Sequence, residues 1–65
     1  MTRAEIYRLR MRAWLAAADM DDLFARADKA EGRDVLAESC RKSADLARDW
    51  AAHYLGLASQ SKAKP

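Results

Sequence analysis

Eight apolar residues, Ile6, Leu9, Ala13, Ala16, Met20, Leu23, Ala27 and Ala30, recur at alternating spacings of three and four along the first half of the chain. On an α-helix this heptad seam forms one continuous apolar ridge, and only a facing helix takes such a ridge out of water. The spacing predicts a long helix with a helical partner. The second half repeats the pattern in Leu36, Cys40, Ser43, Ala47, Trp50, Tyr54 and Leu57. Beside that second seam runs a column of alanines at 37, 44, 51 and 58, small enough to let another helix approach closely.

Local signals set the boundaries. Thr2 followed by Glu5 is a capping-box pair, which starts a helix near Arg3. Gly32 can adopt the left-handed conformation that closes a helix, and Asp34 suits the N-cap of the next. A separate start at Asp19 competes with this reading, but the seam runs through that point without a phase change. The expected organisation is one domain: helix 1 over about 3–31, a turn at 31–34, helix 2 over about 35–58, and a flexible basic tail at 59–65. The expected fold class is all-α, an antiparallel, coiled-coil-like helical hairpin that dimerises into a four-helix bundle.

Composition agrees with the class. The 65 residues include fifteen alanines but only two glycines and one proline, and Thr2, Ile6 and Val35 are the only β-branched residues. A single core of this size is marginally stable, so self-association is expected. One cysteine, Cys40, cannot form an internal disulfide, and with a single histidine, His53, there is no zinc-type cluster. No apolar run approaches the roughly 20 residues of a membrane span, and the start lacks the apolar stretch of a signal peptide. A cytoplasmic location is expected. The Ala, Arg and Asp bias, with eight Arg to four Lys, suggests a GC-rich bacterial, phage or plasmid source.

A short turn makes the helices antiparallel, so residues whose numbers total about 65 should face one another. That register sets Trp50 against Ala13 and Ala16, Val35 and Leu36 against Ala27 and Ala30, and Met20 with Leu23 against Cys40, Ser43 and Ala44. Large residues then meet small ones. Tyr7, Trp14 and Phe24, with Met11, remain as a second stripe that one partner helix does not cover. Such a patch marks an interface, so Tyr7, Met11, Trp14 and Phe24 are the expected dimer or partner contacts.

Residues able to carry chemistry are few and scattered. Cys40 lies on a seam, and the pairing puts His53 far from it, near Leu9 to Arg12, so no nucleophile and base come together. Asp19, Asp21 and Asp22 fall within a helix, without the loop spacing of a Ca²⁺ site, and no glycine-rich phosphate loop is present. The expectation is a non-enzymatic protein with no cofactor, no metal and no small-molecule substrate.

Charge is uneven. Residues 1 to 12 hold four arginines against Glu5, and residues 13 to 34 hold three basic side chains against six acidic ones. Arg3, Tyr7, Arg10 and Trp14, spaced four, three and four, share one side of helix 1, with Arg8 and Arg12 on the flank. Basic residues interleaved with aromatics bind phosphates and stack on unpaired bases. Lys62 and Lys64 should return to the same pole.

In length and heptad-hairpin architecture, and in Met1-Thr2-Arg3, Leu9, Met11, Trp14, Glu38-Ser39 and Ala44-Asp45, the chain resembles the Rop family of plasmid RNA-binding proteins. The resemblance covers residues 1 to about 57. It implies RNA contacts from Arg3, Arg10 and Trp14. Ala18 and Ala25 stand where that family has polar or basic contacts, and the heptad phase is displaced by one residue. The sequence thus points to a small interaction protein, a regulator, adaptor or inhibitor, that forms a homodimer and binds another protein through an apolar and basic helix face. RNA binding by helix 1 is the alternative, and a purely structural self-assembling subunit is a third.

Overall fold

The computed structural model describes residues 1–63, with side chains through Ser61. It contains two α-helices, α1 over Arg3–Ala30 and α2 over Asp34–Ala63, packed along their length as a helical hairpin. The Thr2 hydroxyl accepts from the Glu5 backbone N–H at 3.1 Å, and the Thr2 N–H donates back to the Glu5 carboxylate at 3.4 Å. Two donors without helical partners are thereby satisfied. At the other end Gly32 adopts φ 78°. Its N–H reaches the Lys29 carbonyl at 3.0 Å, and the Arg33 N–H reaches the Asp28 carbonyl at 2.8 Å, the paired bonds of a Schellman closure.

Two boundaries differ from expectation. Asp34 is the first residue of α2 and not its cap, placing a carboxylate in the first turn, where the helix dipole favours it. The segment expected to be a flexible tail continues α2 as far as Ala63. The side chains of Lys62 and Lys64 lie outside the described residues, and with them their expected place in a basic pole.

The larger difference is the phase of the contact. Every buried residue among those described is an alanine: Ala18 and Ala25 of α1, and Ala37, Ala44, Ala47, Ala51 and Ala58 of α2. Ala18, Ala44 and Ala47 form the central cluster. Ala17 packs against it, and toward the start of α1 the line continues through Trp14 and the half-buried Met11, Tyr7 and Ala4. The eight-residue seam that should have met α2 points away from it. Ile6 is half-buried and the other seven are exposed.

Physically, α1 carries two apolar ridges on opposite sides, and α2 accepts the one that fits its alanine column. Alanine on alanine brings the axes close, and the neighbouring aromatic rings then pair across the gap. A ridge of Leu9, Met20 and Leu23 would hold the helices apart and leave those rings unpaired. The expected pairings therefore fail. Trp50 stacks on Trp14 instead of resting on Ala13 and Ala16. Val35 and Leu36 are exposed, and so are Met20 and Leu23.

The Cα trace measures 53 × 16 × 9 Å. That is one layer of helices, whereas a stable core is ordinarily enclosed between two. No large side chain is fully buried. Each buried alanine methyl contributes about 0.8 kcal/mol, so the hairpin alone has little apolar burial to set against the cost of ordering its chain.

Candidate interaction surface

At 100° per residue, with the alanine contacts fixing the rotation of each helix, the hairpin presents two unlike faces. One is charged. Asp22 of α1 pairs with Arg48 of α2, which also reaches Asp45 at 3.5 Å. Arg41 pairs with Glu38 at 2.9 Å. The hydrogen bond that Arg48 donates to the Asp22 carboxylate, followed by the charge of that carboxylate, pushes the Arg48 guanidinium further up and keeps it ionised. An open crevice near the turn is lined by Arg26, Lys29 and Arg41 together with Asp22, Asp34 and Glu38. Three cations against three carboxylates leave it no preference for a charged ligand.

The opposite face is aromatic. Tyr7 stacks on Tyr54 with ring centroids 6.1 Å apart, Tyr54 on Trp50 at 6.2 Å, and Trp50 on Trp14 at 5.9 Å. Four rings, two from each helix, make one ladder across the interhelical groove. His53 meets Trp50 and Tyr54 edge-on at 5.6 and 5.4 Å, and the Arg10 guanidinium lies 5.7 Å from the centre of the Tyr54 ring. Each such pair adds about 0.5–1.5 kcal/mol beyond its area. Phe24, Leu36 and Leu46 extend the apolar surface toward the turn end, all exposed.

This layout redistributes the residues expected to form a site. Arg3, Tyr7, Arg10 and Trp14 do share one face, with both arginines exposed beside the ladder. Arg8 and Arg12 lie on the charged side, around a shallow depression with Glu5 and Leu9. Tyr7, Met11 and Trp14, expected to await a partner, face the chain's own second helix. Phe24 alone of those four remains well exposed. Trp50, His53 and Tyr54 were not anticipated as members: the register is close to that expected, with Trp14 opposite Trp50 and Ala18 opposite Ala47, but the expected rotation of α1 turned Tyr7 and Trp14 away from α2.

Elsewhere, the Cys40 thiol donates toward the Asp28 carboxylate at 3.7 Å. Desolvation first, then that hydrogen bond and the charges of Asp28 and Asp21, push the thiol above its ordinary value. It stays protonated and is a poor nucleophile at neutral pH. Asp19, Asp21 and Asp22 diverge: Asp22 joins Arg48, Asp21 is half-buried on the Cys40 side, and Asp19 is exposed. Among the described residues, no group of three or more His, Cys, Asp or Glu side chains is placed to hold a metal ion. No helix there is long and apolar enough to cross a membrane. No protein-family model matches the chain, and neither the curated proteins nor the solved structures include a match.

Proposed function

We propose that the protein is a small non-enzymatic interaction module that binds another protein through the aromatic face, with Leu36, Leu46, Phe24 and the outer surface of the Trp14–Trp50 pair as the apolar contact and Arg3 and Arg10 at its rim. The observation carrying this reading is that the large apolar side chains lie outside while alanines fill the inside. Large apolar side chains left exposed on one face mark a protein contact, and exposed tryptophan beside arginine has the composition of an interface centre.

The test uses two exposed positions on α2. Leu36→Lys with Leu46→Lys leaves the circular dichroism spectrum unchanged and abolishes a discrete cross-linked complex, of fixed stoichiometry, that the wild-type chain forms in cells. Recovery of the same complexes by both chains, or of none by either, would overturn the reading.

RNA binding is the second reading, favoured by Arg10 over Tyr54 beside the ring ladder. It ranks lower because the rings stack chiefly on one another, which occupies faces that bases would need. Ala18 and Ala25, on the line that the Rop resemblance assigns to RNA, are buried between the helices. Retardation of a structured RNA that weakens with salt and with Arg3→Ala and Arg10→Ala would promote this reading over the first.

A further inference from the structure

The outer edge of α1, turned away from α2, is where the eight-residue seam lies. It contains no polar residue from Ile6 to Ala30, yet Leu9 is 47 % exposed, Met20 57 % and Leu23 62 %. The outer edge of α2 is different, with Lys42, Asp49 and Gly56 along it. One edge of the hairpin is therefore built to meet a helix and the other is not.

We infer that a second copy of this chain occupies that edge, with the two α1 helices side by side and antiparallel. Rotating the seam onto itself about a two-fold axis near residue 18 sets Ile6 against Ala30 of the second copy, Leu9 against Ala27, Ala13 against Leu23 and Ala16 against Met20. Each layer holds one large residue and one alanine. The layers are equal in thickness, as two straight helices at constant separation require. Parallel pairing would set Ile6 on Ile6, Ala13 on Ala13 and Leu23 on Leu23, so thick and thin layers would alternate and leave gaps.

Charge does not favour the antiparallel direction: it brings Arg3 beside Glu31 of the second copy but also Arg12 beside Arg26 and Asp19 beside Asp19, while the parallel pair brings Glu5 beside Arg10 and Arg26 beside Glu31. Packing makes the choice. Pairing would take Leu9, Met20 and Leu23 of both copies out of water. This edge meets the aromatic face at Phe24, which flanks the seam, while Leu36, Leu46 and the Trp14–Trp50 pair stay open in the paired molecule. The inference rests on the interaction-module reading for its biological sense but uses none of the same test positions.

The experiment combines sedimentation equilibrium with substitutions at two exposed positions that do not touch α2. Leu23→Ala leaves two small residues facing, and Ala13→Leu leaves two large ones, so each raises the dimer dissociation constant at least about tenfold. The double variant restores the large-on-small layer and returns the constant to within about threefold of wild type, an antiparallel signature. Spin labels on Lys29→Cys, in a Cys40→Ser background, then lie about 33 Å apart along the axis, from the 1.5 Å rise per residue. A monomer at every concentration overturns the pairing and leaves the aromatic-face reading standing. So does a dimer that Ala13→Leu tightens, or one whose labels fall within about 20 Å.

Discussion

Cys40 shows how little of a residue's chemistry follows from its type. The same thiol beside a cation or a helix N-terminus would be reactive, but here it lies against the Asp28 carboxylate, which disfavours its anion. The raised pKa fixes the sign of two effects. At neutral pH the thiolate fraction is smaller than that of an ordinary cysteine, and the reaction with a disulfide reagent keeps accelerating with pH past the point at which an ordinary thiol levels off. Asp28→Asn removes the carboxylate's contribution, lowers the thiol pKa and speeds modification several-fold. Equal rates for the two chains would remove Asp28 as the cause. Arg10 is the counterpart on the aromatic face, where a cation gains from a ring that is already fixed by its neighbour.

At the scale of the helix, the contact between α1 and α2 tolerates nothing larger than a methyl group at its centre. Ala44 has no accessible surface. Ala44→Leu is expected to destabilise the hairpin by about 1–3 kcal/mol, whereas Ala52→Leu, on an exposed position of the same helix, changes it by less than about 0.5 kcal/mol. Urea unfolding monitored by circular dichroism measures both. The elements themselves were legible because their signals are local: Thr2 with Glu5 starts α1, and Gly32 ends it. The rotation of α1 was not legible. A helix with an apolar ridge on each side offers two phases, and the heptad count favours the ridge with the bulkier residues. The alanine column at 37, 44, 51 and 58 does the choosing, through how close it lets a neighbour come. For the same reason Arg3, Tyr7, Arg10 and Trp14 were recognised as one face from spacing alone, while Trp50, His53 and Tyr54 were missed. They join that face only once the contact is phased on the alanines.

For the whole molecule, a single layer whose Cα trace is only 9 Å deep makes every interior position also a near-surface position. The pairing proposed above would add to the contact between α1 and α2 without replacing any part of it. One consequence is optical. The chain has two tryptophans, and both belong to the stacked pair at 5.9 Å. Indoles that close, with planes 18° apart, couple their ultraviolet transitions and give a paired-sign circular dichroism band that neither ring gives alone. Trp14→Phe or Trp50→Phe should each abolish the band completely, and Leu23→Ala should leave it intact. A band that halves with each substitution would mean uncoupled rings. The molecule thus carries its own gauge of hairpin closure, one that stays silent about what docks on its edge.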